Sequence, residues 1–294
     1  MPRPRIHVTA PVPVEVDEAL RRDFETSDSP ERVEGIVAML TTRVDGAYLE
    51  RVGPQLKVVA NYAVGVNNVD LAAAAERNVV VANTPDVLTR ATAELAVGLM
   101  LAQLRRIAEG DRFVRRRDQW LFSLEFMLGS SLDGKRLLVV GPGRIGRETA
   151  RLAEALGARP AFAGRADDLH ALLAEADIVS LHVPLTPETR HLIGAEALFA
   201  MRRSAILVNT ARGPMVDEQA LVEALRAGEI AGAALDVFER EPEVEEGLLG
   251  LENVVLTPHL GSATRDTRVA MGMLCVEALR AVLLDGRRPA NAVG

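Results

Sequence analysis

From Arg5 to Ala82, short β-rich apolar runs alternate with stretches of helical period: Ile6-His-Val-Thr, Gly35-Ile-Val-Ala-Met-Leu, Lys57-Val-Val-Ala-Asn-Tyr-Ala and Val79-Val-Val-Ala each read as a strand. Such spacing predicts βα units around a parallel sheet covered by helices. Asp70 opens one of the helices, Asp70-Leu-Ala-Ala-Ala-Ala-Glu-Arg, where its carboxylate complements the helix dipole. A longer helix is expected from about Thr92 to Glu109; it is apolar nearly all round, hence buried, and could connect two domains. After a less regular region around Gln119 to Ser131, a second βα series begins at Lys135. Its strands are expected at Leu137–Val140, Pro160–Ala163, Asp177–Leu181, Ala205–Val208, Ala231–Leu235 and Asn253–Leu256. The last helix, about Thr264 to Leu284, has no strand to follow in that series and is assigned back to the first domain. The pattern predicts an α/β protein with two doubly wound parallel-sheet domains, residues 1–91 with 264–294 and residues 92–263.

A chain of 294 residues exceeds one typical domain, and an Ala/Val/Leu/Gly bias with aromatics at only 3% suits helices packed on parallel strands. The formal net charge of −7, with acids and bases interspersed, offers no clustered cations for a phosphate backbone, so no nucleic-acid partner is expected. The one basic concentration, Arg105-Arg106 with Arg112 and Arg115-Arg116-Arg117, is assigned to a solvated face or a subunit contact. The single cysteine, Cys275, lies in an apolar pattern and reads as a small buried hydrophobe, so no disulfide within the chain is possible and a reducing compartment suits it. No apolar run of signal-peptide length follows Met1-Pro-Arg-Pro-Arg, and no stretch approaches a charge-free membrane span. A cytoplasmic protein without membrane contact is expected, and no residue is assigned to a metal.

Lys135-Arg-Leu-Leu-Val-Val-Gly-Pro-Gly-Arg-Ile-Gly-Arg-Glu places Gly141, Gly143 and Gly146 at the junction of an apolar strand and a helix. That context turns a weak glycine motif into a dinucleotide-binding fingerprint of Rossmann type. Gly141 permits the tight turn, Gly143 lets backbone approach a pyrophosphate, Gly146 lets helix and strand pack closely, and the helix start at Arg144 and Ile145 offers amide donors. At the end of the next strand a carboxylate would bond a ribose 2′-hydroxyl, whereas a 2′-phosphate needs a cation. Gly164 stands where the acid is expected and Arg165 follows it, so NADP(H) is the expected cofactor, with NAD(H) the other possibility. Asp167 and Asp168 come next and are read as caps of the helix Leu169-His-Ala-Leu-Leu.

Three further motifs lie at or just after strand ends of the second series: Val208-Asn-Thr-Ala-Arg212-Gly-Pro, Leu235-Asp236-Val-Phe-Glu-Arg-Glu241-Pro242 and Thr257-Pro-His259-Leu-Gly-Ser-Ala-Thr264. Reducing a 2-keto acid needs a cation for the carboxylate, a proton donor for the developing alkoxide and a partner that keeps the donor protonated. Arg212, His259 and Glu241 meet those needs. Taken singly, each also has a structural reading: Arg212 paired with Asp217, Glu241 as a surface acid before a proline turn, His259 as a satisfied strand-end histidine. His7, His170, His182 and His191 have no such partners in the pattern and are taken as structural or exposed.

Asn61-Tyr-Ala-Val-Gly-Val-Asn-Asn-Val-Asp70, Asn83-Thr-Pro-Asp-Val-Leu-Thr-Arg-Ala-Thr-Ala-Glu94, the Gly141 fingerprint, Ser180-Leu-His-Val-Pro-Leu-Thr186 and the three motifs above follow one another along the chain. In that order they resemble the D-isomer-specific 2-hydroxyacid dehydrogenase family over nearly the whole length. Asp86-Val-Leu-Thr-Arg-Ala-Thr-Ala, Gly261-Ser-Ala-Thr264 and Gly164-Arg165 look most like its glyoxylate/hydroxypyruvate reductase branch, which commonly uses NADPH. The resemblance implies two Rossmann-like domains with the active site in the cleft between them, residues 1–91 with 264–294 binding substrate and 92–263 binding the dinucleotide. It implies that Arg212 binds the substrate carboxylate and polarises the keto group, that His259 protonates the carbonyl oxygen, and that Glu241 holds the imidazole. Backbone amides of Val64 and Gly65 would meet the carboxylate, and Ser262 would lie near the substrate. Asp236 would bind the carboxamide end of the nicotinamide, Val183, Pro184, Thr210 and Ala211 would line the cofactor site, and Arg212, His259 and Gly261 would border it. A homodimer is implied, with Trp120 in its interface core or reaching an active site. A 3-phosphoglycerate dehydrogenase-type enzyme and a dinucleotide-sensing, corepressor-like binding protein are the alternatives. The chain departs from the family after Arg165, where there is room for only about one short helix before Asp177.

Overall fold

The structure, a computed structural model, describes residues 3–293. Met1 and Pro2, part of the N-terminal stretch read above, and Gly294, the last residue of the expected discontinuous domain, lie outside them. The chain divides into two compact units, one running to Leu88 and resuming at Ala263, the other spanning Thr89–Ser262. These crossings come slightly earlier than the expected boundaries, because a helix already starts at Thr89 and Thr264 is itself an N-cap.

The first unit is built from β1 (Arg5–Val8), α1 (Val14–Asp23), β2 (Glu25–Ser27), β3 (Gly35–Ala38), α2 (Gly46–Val52), β4 (Val58–Asn61), α3 (Leu71–Glu76) and β5 (Val80–Ala82). The second contains α4 (Thr89–Leu104), α5 (Ile107–Arg115), β6 (Arg136–Val140), α6 (Arg144–Ala155), β7 (Arg159–Ala163), α7 (Leu169–Leu173) and β8 (Ile178–Leu181). It continues through α8 (Ala195–Ala200), β9 (Ile206–Asn209), α9 (Glu218–Ala227), β10 (Gly232–Leu235), α10 (Glu246–Leu249) and β11 (Val254–Leu256). The chain then returns to the first unit as α11 (Arg265–Leu283) and β12 (Ala292–Val293).

Each unit holds a six-stranded sheet, ordered β12-β5-β4-β3-β1-β2 and β11-β10-β9-β8-β6-β7. All pairings are parallel except β12 with β5. Strands such as β4 and β8 are buried at every position, which is why they read as continuous apolar runs rather than alternating ones. In the second sheet the order reverses at β6, between β7 and β8, and ligands of open α/β sheets bind beyond the strand ends at such a point. The Gly141 turn leaves β6 there. Aspartates start several helices as N-caps: Asp45 accepts from Tyr48 N, Asp70 from Ala73 N and Asp217 from Ala220 N. In the first unit α11 packs on β4 and α1, and Cys275 lies buried and unpaired among its apolar residues, where burial pushes the thiol pKa up.

Two expectations are corrected. The helix expected over Thr92 to Glu109 is two helices, α4 and α5, with Arg106 between them in the left-handed region at φ 53. Ser130 N–H takes the Leu104 carbonyl, and Arg106 turns its guanidinium onto Glu109 at 2.6 and 2.7 Å; a returning strand of chain thus ends the helix. β2 and β12 were not expected at all. Between β7 and β8 only the five-residue α7 intervenes, the one short helix for which the segment after Arg165 leaves room, so β7 forms the edge of its sheet. Among the described residues no helix is long and apolar enough to cross a membrane.

Candidate active site

The three motifs of the second unit leave the C-terminal ends of β9, β10 and β11, which lie side by side. Parallel pairing therefore delivers Arg212, Glu241 and His259 to one edge of one sheet. His259 N–H donates to the carbonyls of Asp236 (2.8 Å) and Thr257 (3.1 Å), and its φ of 54 is unusual for a residue with a side chain. Its Nδ1 lies 2.8 Å from Glu241 Oε2, the imidazole being 25% and the carboxylate 29% exposed. An ionised carboxylate only accepts, so Nδ1 carries the hydrogen and Nε2 is left as the nitrogen that exchanges a proton. The other Glu241 oxygen accepts from Phe238 N–H at 3.0 Å. Burial pulls the Glu241 carboxyl upward, but the bond and charge of His259, the Phe238 amide and the Arg212 charge outweigh it and hold the group below its ordinary pKa.

Arg212 donates from Nη1 to its neighbour's carbonyl, Ala211 O, at 2.6 Å. Desolvation lowers its pKa and the Glu241 charge opposes that, yet a guanidinium so far above neutrality stays a fixed cation. The loop that presents it is tied by Asn209, a fully buried residue whose Oδ1 accepts from Ala211 N–H (3.0 Å) and whose Nδ2 donates to Arg212 O (2.9 Å). Gly213 follows, and a Cβ there would overlap the backbone of Phe238 and Glu239. Only glycine lets the Arg212 segment pass so close to the turn bearing Glu241. The structural readings are thereby tested: Asp217 caps α9 instead of pairing with Arg212, and His259 has a carboxylate partner.

Asp236 is buried with no exposed surface, and its carboxylate accepts from Thr257 Oγ1 (2.6 Å), Leu260 N–H (2.7 Å) and Gly261 N–H (2.8 Å), which fixes the loop that carries His259. His191 has a structural role of the kind expected, its Nε2 meeting Glu239 Oε1 at 2.8 Å, beside Arg190 Nη2 at 2.6 Å. His182, by contrast, is enclosed with Ser180 Oγ 2.8 Å from its Nε2, and burial drives its pKa down to about 4.

At the Gly141 turn the residues fit a dinucleotide. Gly141 has φ +102, and a Cβ there would meet Val183 and the His182 backbone at 2.7 to 2.8 Å. A Cβ on Gly146 would overlap the Gly141 carbonyl, while one on Gly143 would meet open space. Gly143 is the N-cap of the twelve-residue α6 and supplies no capping side chain, so the first-turn amides, beginning at Arg144 and Ile145, are not masked by a cap. Val183 and Ala211 are half-buried, Pro184 is exposed, and Thr210 is buried with its hydroxyl unpartnered. Gly261 O accepts from Thr92 Oγ1 at 3.0 Å, which pins the start of the Gly261-Ser262 segment. At the tip of β7, Gly164 and Arg165 are exposed as expected, and Asp168 caps α7 through Ala171 N. Asp167 does not cap: its Oδ2 accepts from Gly164 N–H at 2.7 Å.

In the first unit Val64 and Gly65 follow β4. Asn83 Nδ2 donates to the Val64 carbonyl (2.8 Å) and Asn61 Nδ2 to the Gly65 carbonyl (2.9 Å), which fixes the 64–65 and 65–66 peptides and, with the first of them, the Gly65 amide. The sequence reading missed Asn61, Asn83, Asn209 and Gly213 as supports; all four stand inside its motifs, but neighbours distant in sequence decide their work.

Residues 97–261 match the family model described as D-isomer specific 2-hydroxyacid dehydrogenase, NAD binding domain. The chain is 45% identical over 278 residues to a glyoxylate reductase of Thermococcus litoralis, covering 89% of this chain and 83% of that protein. A crystal structure of a Thermus thermophilus protein superimposes with a TM-score of 0.93 at 43% identity, over 99% of this chain and 100% of the other. The NADPH-dependent glyoxylate/hydroxypyruvate reductase of Sinorhizobium meliloti, in complex with NADP and malonate, gives 0.87 at 36% identity, over 99% and 97%.

Proposed function

The chain belongs to the D-isomer-specific 2-hydroxyacid dehydrogenase family, and from that premise we propose that it reduces a small 2-keto acid of the glyoxylate or hydroxypyruvate type to the D-2-hydroxy acid, with NADP(H) preferred. The observation that carries the reading is the 2.8 Å contact of His259 Nδ1 with Glu241, within the field of the Arg212 cation. A dinucleotide held by its pyrophosphate at the Gly141 turn would, in reduced form, supply the hydride for the keto carbon. Arg212 holds the substrate carboxylate and draws charge toward the keto oxygen. His259 passes the Nε2 proton to that oxygen as negative charge develops, and Glu241 balances the imidazolium before transfer and orients the ring. Ser262 is half-buried two residues beyond Leu260, whose amide is held by Asp236, and is read as a neighbour of the substrate.

The NADP(H) preference rests on Gly164 and Arg165 and on the name of the Sinorhizobium relative. NAD(H) is favoured by one observation, the Asp167 carboxylate held at the Gly164 amide. The protein is read as a homodimer, its interface formed by the exposed apolar segment that begins at Trp120. NADPH oxidation measured against a 2-keto acid panel, with wild type and His259→Ala, tests the activity. Wild type should turn over glyoxylate and hydroxypyruvate; the variant should lose on the order of 10²- to 10⁴-fold in kcat while binding cofactor as before. Cofactor binding without turnover of any 2-keto acid would sink the reading and favour a dinucleotide-sensing role.

A further inference from the structure

Glu218 is a buried acid that the chemistry above does not use. It stands in the first turn of α9 with 5% of its surface exposed, and its Oε1 accepts from Glu239 N–H at 2.7 Å. An acid placed only to complement the helix dipole can do so from the surface and keep its water. Here burial, with the Glu239 and Glu245 carboxylates nearby, pulls the Glu218 carboxyl above its ordinary pKa, against the Glu239 amide and the Arg240 charge. So costly a position needs a compensating purpose, and the bond supplies one because it joins two loops. α9 continues the segment that bears Arg212, through the 3-10 turn Gly213–Met215. Glu239 lies inside the turn whose Phe238 amide fixes Glu241. Gly213 brings the same two stretches together at backbone contact, and on its other side the Glu239 carboxylate is held by Arg190 and His191.

We propose that Glu218 is a positioning residue: it pins the 238–241 turn to the Arg212 segment, so that Glu241 meets His259 Nδ1 while Arg212 remains within its field. The proposal rests on the catalytic reading of that trio. Without the Glu218 bond the turn loosens and the Glu241–His259 contact lengthens. Glu241, now held below its ordinary value, would then protonate at higher pH, and the acid limb of activity would move up. The profile narrows from its acid side.

The test compares pH profiles of kcat/KM for keto-acid reduction in wild type, Glu218→Ala, Glu218→Asp and Glu218→Gln, with cofactor affinity and Tm measured alongside. Alanine offers no acceptor and aspartate is a methylene short, so both should lower kcat roughly tenfold and narrow the profile by about one pH unit, with cofactor Kd unchanged. Glutamine keeps an acceptor oxygen and should recover most of the turnover and the full width. If the alanine variant fails to fold, the contrast of aspartate with glutamine decides. Lowered Tm with profile and kcat unmoved, or a glutamine variant as narrow as the aspartate one, overturns the proposal. Glu241→Gln separates the two levels: if it leaves rate and profile untouched the catalytic reading itself fails, whereas if it alone changes them only the role of Glu218 falls.

Discussion

At the tip of β7 two side chains of opposite charge, Arg165 and Asp167, follow Gly164, which has no side chain. Arg165 is exposed and suited to a 2′-phosphate, while Asp167 puts a carboxylate on the Gly164 amide, a group that a phosphate oxygen or a ribose hydroxyl would otherwise use. Between exposed charges such effects amount to about 1 kcal/mol, enough to tilt cofactor choice without making it absolute. Asp167→Asn keeps an oxygen for the Gly164 amide and removes the charge, so NADP⁺ should bind roughly five- to tenfold tighter while NAD⁺ changes less. Arg165→Ala should weaken NADP⁺ by a similar factor and leave NAD⁺ nearly alone. Dissociation constants from titration of both variants with both cofactors check this; an unchanged NADP⁺ to NAD⁺ ratio in each would remove this pair from cofactor selection. The sequence placed Gly164 and Arg165 correctly on the strand tip but read both aspartates as caps. Only Asp168 caps, because the turn of the backbone decides which of two adjacent carboxylates reaches back, and residue type does not encode that. The motif of Asp236 was visible in the same way, but its complete burial was not.

At the scale of elements, the six strands of the second series were legible to within a residue at either end, since all but the edge strand β7 are buried parallel strands that leave uninterrupted apolar runs. β2 and β12 were not, because edge strands as short as Glu25-Thr-Ser exist only through the neighbour they pair with. The break at Arg106 was hidden for the same reason; Ser130 competes for the Leu104 carbonyl from far along the chain. Gly213 shows how such a distant neighbour constrains chemistry. The structure packs it against the backbone of Phe238 and Glu239, which cannot give way as a side-chain tip could. Gly213→Ala should therefore force the Arg212 segment and the Glu241 turn apart, destabilise the protein by about 3 kcal/mol, and lower kcat more than cofactor affinity. Thermal unfolding together with cofactor titration measures both effects, and a variant of wild-type stability and rate would mean that the two loops are not coupled there.

At the scale of the whole molecule, the outstanding feature is apolar surface left in water. Leu121, Phe122 and Leu124 are 90%, 82% and 85% exposed, and α5 buries none of its residues. Trp120 stacks on Phe126 with centroids 5.9 Å apart, and Phe113 meets Phe126 edge-on at 5.5 Å, so the segment is ordered by its own aromatic contacts. Hydropathy alone could not have separated this run from a core segment; only the fold shows that no part of unit Thr89–Ser262 covers it. The nearby arginines do not repel a second copy as bare cations, because Arg112 and Arg116 pair with Glu252, and Arg115 with Asp111. Burying a large apolar side chain gains about 1.5–3 kcal/mol, and a two-fold axis through the patch would bury each of these side chains twice over. The wild-type protein should accordingly sediment as a dimer. Leu121→Asp with Phe122→Asp should give a monomer with its fold intact by circular dichroism, because the substituted side chains are 90% and 82% exposed within the chain. A monomeric wild type, or a double variant that remains dimeric, would place the subunit contact elsewhere or nowhere.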